Sequence, residues 1–180
     1  MAVSMGATSV PRWGTAVAGA DPVLTDASVR CVLIVTDSTD RDEVVRDLVT
    51  RSVPVTRVVV VHQNGAAADE LGAALADARV GWRFVVVGAE ASVGRIRSRI
   101  VDAGAIDAEI VVLSTEEPDV RSMRRRDVFC GHCHVVTGAT TAVDGTVDCS
   151  GCGSNLTVYY HYSRRHAAFL GFRADAEDLP

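Results

Sequence analysis

The sequence predicts an α/β protein in two parts: a small, mostly parallel sheet, then a module built on four cysteines. Three observations carry this expectation. Short apolar runs recur at Arg30–Val35, Val58–His62, Trp82–Val87 and Ile110–Leu113. Segments with one apolar stripe at helical spacing separate them. Beyond residue 127 the pattern changes to Cys130-Gly131-His132-Cys133 and, after fifteen residues, Cys149-Ser150-Gly151-Cys152-Gly153.

The first 29 residues are rich in Ala, Gly, Ser and Thr and lack a basic start followed by an apolar core. They are expected to be a loose arm, with no secretion signal. Cys31-Val32-Leu33-Ile34-Val35 is almost continuously apolar and ends at Thr36-Asp37-Ser38, as a buried parallel strand does. Ser38-Thr39-Asp40 offers cap acceptors for a helix from about Arg41 to Arg51, striped by Val44, Val45, Leu48 and Val49. Val58–His62 is a second buried strand, stopped by Asn64-Gly65. A second helix covers about Ala67–Arg79, with Leu71, Ala74, Leu75 and Ala78 on one side. The third strand runs from Trp82 to Val87. A helix from about Val93 to Ala103 follows, with Val93, Ile96, Ile100 and Val101 inward, Arg95, Arg97 and Arg99 outward, and Gly104 closing it. Ile110–Leu113 is the fourth strand. Four strands alternating with three helices imply right-handed crossovers and a Rossmann-like sheet.

Ligands of such sheets sit beyond the carboxyl ends of the strands. Here those ends are Asp37 and Ser38, His62 to Gly65, Gly88 to Ser92, and Ser114 to Glu116. No Gly-x-Gly-x-x-Gly follows the first strand. Gly88 and Gly94 bracket a helix start that suits phosphate, yet they also suit a plain tight turn, and Glu90 would repel an anion. Cys31 is expected to be a small core residue, and His62 a loop histidine with its bonds satisfied.

Two Cys-x-x-Cys knuckles at this separation are the pattern of a four-thiolate metal site. Cys130, Cys133, Cys149 and Cys152 are the expected ligands. Gly131, Gly151 and Gly153 free the backbone to bend, and the segment with Gly138, Asp144 and Gly145 suits a hairpin that folds one knuckle onto the other. A closed tetrahedron of thiolates suits structural zinc. A single iron in the rubredoxin manner is the rival, weakened because His134 stands where the first knuckle would carry glycine. A disulfide pair or free thiols is the third possibility. His132 and His134 are expected outside the ligand set.

Composition narrows the function. All 18 basic residues are arginine, which excludes a phosphate-loop lysine and a Schiff base, and the net charge of −5 argues against a dedicated nucleic-acid binder. No apolar run approaches the roughly 20 residues that span a bilayer, and a cytoplasmic protein is expected. Arg121, Arg124, Arg125 and Arg126 form a solvated run in a linker, placed to offset the charge of a thiolate site or to meet an acidic partner. Leu156 to His161 alternates as a strand, and Ser163 to Phe172 reads as a short helical or turn segment. Tyr159, Tyr160, Tyr162, Phe169 and Phe172 are five of the nine aromatics; they are expected either to face a partner or to join the two halves. The expected divisions are therefore a flexible arm (1–29), a Rossmann-like α/β domain (30–117), a linker (118–127), a four-cysteine, zinc-ribbon-like module (128–174) and an acidic tail (175–180).

The C-terminal third carries a resemblance. Cys130-Gly-His-Cys133-His134, Cys149-x-Gly-Cys152-Gly153, His161-Tyr162-Ser163-Arg164-Arg165 and Ala167-Ala168-Phe169-Leu170-Gly171, followed by Ala174-Asp175-Ala176-Glu177, resemble the DmmA-like subunit of bacterial dimethylamine monooxygenase. The resemblance covers about residues 128–178. It implies a multi-subunit, NADPH-dependent enzyme that converts dimethylamine to methylamine and formaldehyde. Haem would sit on one partner subunit, and FMN and an iron–sulfur centre on a reductase subunit. This chain offers no ferredoxin-type cysteine spacing for them, so its own role would be structural: Zn²⁺ fixes the small module, which holds the other subunits. The alternatives are a free-standing iron electron carrier and a zinc-ribbon interaction module.

Overall fold

The structure is a computed structural model that describes residues 8–15, 17–39, 42–61 and 68–176. The chain divides into two compact units. One is Trp13–Glu117; the other joins Met1–Arg12 to Pro118–Pro180.

The first unit holds a four-stranded parallel sheet in the order β2-β1-β3-β4, with β1 Cys31–Thr36, β2 Val55–Val60, β3 Trp82–Gly88 and β4 Ile110–Ser114. Alternating side chains of β1 and β3 feed two cores. Val32, Ile34, Val85 and Val87 pack on one face, beneath Val45 and Leu48 of helix α2, Asp42–Arg51. Leu33, Val35, Phe84 and Val86 pack on the other, beneath Leu71 of α3, Ala68–Ala76, and Val93, Ile96 and Ile100 of α4, Glu90–Asp102. The order explains the split. The chain steps from β1 to β2, then back across β1 to β3, and a right-handed crossover in the reverse direction puts its helix on the opposite face.

Several expectations shift. Residues 17–29, read as part of a loose arm, instead form a 3₁₀ turn, Val17–Ala20, and a one-turn helix α1, Asp21–Leu24. Ala20, Leu24 and Val29 complete the α2-side core, which α2 alone is too narrow to cover. The second strand begins at Val55, earlier than expected, and is an edge strand with Val55 and Val58 exposed. Its valines reflect strand propensity; a position at the edge of the sheet leaves one flank without neighbours. Arg97 turns inward to pair with Asp107 rather than facing water. Cys31 lies buried in β1, as a small core residue does. The cap residue Asp40, the loop His62–Gly65 and the tail end 177–180 lie outside the described residues.

The second unit is a five-stranded sheet in the order β6-β5-β9-β8-β7: β5 Arg124–Cys130, β6 Val136–Thr141, β7 Thr146–Asp148, β8 Asn155–Ser163 and β9 Ala168–Arg173. β5 and β9 run parallel, and the other pairs are antiparallel. The segment expected to form a hairpin between the knuckles does not pair with itself, because β6 and β7 occupy opposite edges. A flat sheet would hold those edges about 19 Å apart. The connection 142–145 is folded back, with Val143 N–H donating to Val120 and Asp144 N–H to Val158. The sheet therefore curls around Val128, Val147, Leu156, Val158, Tyr162 and Phe169. The segment read as helical or turn beyond Ser163 is a turn followed by β9.

Residues 118–127, expected to be a solvated linker, carry the start of β5 and one inward charge. Arg126 is 1% exposed. Its guanidinium donates to the carbonyls of Ser122, Asp119 and Thr141 and lies 5.6 Å from the centre of the Phe169 ring. Strand alternation forces this: Arg126, Val128 and Cys130 share the inner face, and the long arginine side chain reaches the carbonyls of the 119–122 turn and of the end of β6. Replacing Arg126 by Met should destabilise this unit by roughly 2–4 kcal/mol, since the three charge-assisted hydrogen bonds of this buried guanidinium are lost. All three tyrosines belong to this unit and both tryptophans to the other. Denaturation followed by tyrosine near-UV signal should therefore shift to lower denaturant, while the tryptophan transition stays in place.

Candidate metal centre

Both knuckles are built alike. In the first, His134 N–H donates to the Cys130 carbonyl at 3.0 Å; in the second, Gly153 N–H donates to the Cys149 carbonyl at 2.9 Å. The residue after each second cysteine is left-handed, Gly153 at φ 71° and His134 at φ 63°. Glycine adopts this conformation freely, whereas histidine does so at a cost of about 1–2 kcal/mol. The histidine therefore takes the same turn as the glycine, and its place after the first knuckle does not by itself count against iron. Gly151 is required sterically: a Cβ there would lie 2.7 Å from Val135 Cγ2 and 3.1 Å from Cys133 Sγ. Thr137, on β6, ties the second knuckle down. Its Oγ1 accepts from Ser150 N–H at 3.0 Å and lies 3.1 Å from Ser150 Oγ.

The four expected sulfurs converge. Cys130 and Cys152 Sγ are 3.9 Å apart, Cys133 and Cys149 Sγ are 3.5 Å apart, and all four lie within 4.8 Å of one another. A tetrahedron with metal–sulfur bonds of about 2.3 Å has edges of about 3.8 Å. A disulfide needs about 2.05 Å. The donor set thus fits one four-coordinate ion and not a disulfide. It fits zinc and iron equally, because both bind thiolate at similar length.

The surroundings favour thiolates. Hydrogen bonds from Ser154, then from His132, pull Cys152 down to about 5. Backbone N–H groups of Cys152 and Gly151 hold Cys149 below the usual thiol range. Cys133 behaves oppositely: the Val135 N–H favours its thiolate, but burial and the other sulfurs push it up to about 12. Several negative sulfurs this close repel, so a cation among them is what allows all to ionise. Cys130 and Cys149 are buried and Cys152 is exposed, so the centre lies at the surface of the unit. The charge of Arg173 of β9 is stabilised chiefly by Asp175 and to a smaller extent by Cys152, whereas Arg126 of the expected linker is engaged with carbonyls. The parts of this site that spacing did not reveal are Thr137, Ser154 and the left-handed His134; Thr137 carries only the strand alternation as a signal.

The other place the sequence marked is the carboxyl end of β1 and β3, where the crossovers diverge. There Ala89 N–H donates to Asp37 Oδ2 at 2.9 Å, and Glu90 N–H donates to Glu116 Oε2 at 2.7 Å. A Cβ on Gly88 would lie 2.5 Å from Asp37 Cγ, so glycine is what lets that carboxylate reach the helix start. The α4 terminus that suits phosphate thus already holds two carboxylates.

Residues 127–172 match the family described as Dimethylamine monooxygenase subunit DmmA-like, C-terminal domain. Over 107 residues the chain is 39% identical to the Heme-dependent oxidative N-demethylase delta subunit of Ectopseudomonas mendocina (strain ymp). The aligned stretch is 59% of this chain and 57% of that protein, so the chain spans little more than half the length of that relative. No solved structure matches the chain. The resemblance to a DmmA-like subunit is therefore borne out, and the likeness is longer than the four-cysteine module itself.

Two outcomes follow from these sites. Cys149→Ser should release the metal and abolish the tyrosine near-UV signal while tryptophan fluorescence is retained, because metal binding and folding are coupled in the small unit alone. Metal analysis of the purified full chain should give one equivalent in the wild type and well under a tenth in the variant. Titration of the full chain with NADPH should show no saturable heat or tryptophan quenching up to millimolar nucleotide, since its phosphates would meet Asp37 and Glu116.

Proposed function

We propose that this chain is a non-catalytic assembly subunit of a multi-subunit, NADPH-dependent dimethylamine monooxygenase that converts dimethylamine to methylamine and formaldehyde. Haem, FMN and an iron–sulfur centre belong to partner subunits, a catalytic haem subunit and a flavin reductase. The module is a zinc ribbon in kind, its Zn²⁺ held by Cys130, Cys133, Cys149 and Cys152, and the α/β unit is a Rossmann-like sheet without a nucleotide. The complex acts in the cytoplasm. The likeness over 127–172 and the relative that is a subunit of an oxidative demethylase support this reading.

The observation that carries the structural role is the closed sulfur set. Four thiolates around one ion leave no position for a substrate or for oxygen. The ion supplies a cross-link between two knuckles, and the residues around it hold sulfur charge in place. At the α/β unit, the carboxylates of Asp37 and Glu116 take the amides that a cofactor phosphate would need.

One observation favours a second reading, a single-iron electron carrier. Both knuckles have the same left-handed turn, and Cys152 is exposed, so an iron there would lie near a partner's surface. Native purification of the tagged full chain separates the two. The assembly reading expects one equivalent of zinc, no visible absorption from this chain, and stoichiometric haem and flavin subunits. An iron centre with thiolate charge-transfer bands would support the carrier instead, and a chain recovered without haem or flavin partners would overturn the assembly reading.

A further inference from the structure

The turn between β8 and β9 is tied to the metal knuckle by stacked rings. His166 N–H donates to Ser163 Oγ at 3.2 Å, closing the turn, and Ala167 sits in the left-handed region at φ 49°. The His166 ring stacks on Phe129 with centroids 4.2 Å apart and planes 12° apart. Phe129 stacks in turn with His134 of the first knuckle, at 5.6 Å and 8°. Phe129 immediately precedes Cys130. The strained turn therefore takes its position from the metal centre, and what it holds out to solvent is Arg164 and Arg165.

The same face of the sheet continues as an apolar row. By register, Phe129 lies between Val136 of β6 and Leu170 of β9. Beyond Leu170, Phe172 meets Tyr159 edge to face at 5.9 Å, and Tyr159 lies 5.3 Å from His161. Phe172 is 48% exposed and Tyr159 47%. These rings are not needed for the core on the inner side, which Tyr162 and Phe169 fill with their own edge-to-face pair. Exposed aromatics held on two strands, with two exposed arginines on the turn that joins those strands, are the composition of a protein interface.

We infer that this face, from Phe172 and Tyr159 to the Arg164-Arg165 turn, docks a protein surface with an apolar centre and an acidic rim, carried by another subunit of the complex. The inference rests on the assembly reading and names the surface that performs it. The chemistry fixes the partner's character. The exposed positive charge of the turn complements a partner surface that carries carboxylates there, and the ring row complements apolar side chains opposite its centre. An arginine pair of this kind also makes association salt-sensitive.

Two variants of the full chain test this against the purified haem subunit: Tyr159→Ser with Phe172→Ser, and Arg164→Glu with Arg165→Glu. Val80→Ser, an exposed change in the α/β unit, is the control. Both pairs should weaken binding by tenfold or more, with one metal equivalent and the tyrosine signal retained. The arginine pair should also flatten the dependence of affinity on salt, and the control should bind as the wild type does. Wild-type affinity in either pair overturns the docking face while leaving the assembly reading intact. Self-association of the wild type that both pairs abolish, with haem-subunit binding unchanged, assigns the face to a second copy and overturns the inference. A wild type that never binds the haem subunit overturns both.

Discussion

Four sulfurs held within 4.8 Å of one another are the constraint on which the second unit depends. Its sheet curls around a core with few large side chains, Leu156, Tyr162 and Phe169 among them. Units of this size rarely bury enough apolar area to fold on that alone, and a metal cross-link is the usual supplement. The knuckles lie at places where the sheet needs it. Cys130 ends β5, an interior strand that pairs with both β6 and β9, and Cys149 follows β7 at the far edge. Joining them fixes the distance from β5 to the opposite rim, which the backbone ladder cannot do directly because β9 and β8 lie between β5 and β7.

The α/β unit rests on a different balance. β1 and β3 supply both of its cores, and all six β1 residues are buried. Where the two strands end, helix dipole and carboxylate charge offset each other: Asp37 and Glu116 accept from the first amides of α4. In a sheet of this kind that terminus commonly faces a ligand. Here the chain's own anions take the same bonds, so the geometry of a binding sheet is kept while its anion site is filled from within.

How far the sequence disclosed this depends on whether each signal is local. The apolar runs of β1 and β3, the stripes of α2 and α4 and the two Cys-x-x-Cys knuckles, whose sulfurs converge, are patterns within a few residues, and they were legible. The edge position of β2 was not, because Val55–Val60 is even richer in valine than the central strands and strand order is a property of the whole sheet. Residues 17–29 gave no periodic signal, since a single helical turn is too short for one, yet Ala20 and Leu24 are fully buried. The inward Arg126 was hidden by three neighbouring arginines: charge composition predicts solvent, and strand alternation overrides it only once the register is known. Pairing of β5 with β9 joins segments some forty residues apart, which no local pattern encodes.

His134 shows why such a departure from a local rule is informative. Glycine would fill its left-handed position without strain, as Gly153 does in the other knuckle. A ring at that position does something glycine cannot: it stacks with Phe129, which stacks with His166. Near-parallel ring pairs contribute about 0.5–1.5 kcal/mol each beyond the area they bury, comparable with the strain of one left-handed histidine. The exchange is therefore close to neutral for stability, and stability alone does not account for the histidine. What it adds is connection. The knuckle fixes a ring stack, the stack fixes the turn that carries Arg164 and Arg165, and an ion among the four sulfurs would therefore act on that turn as well.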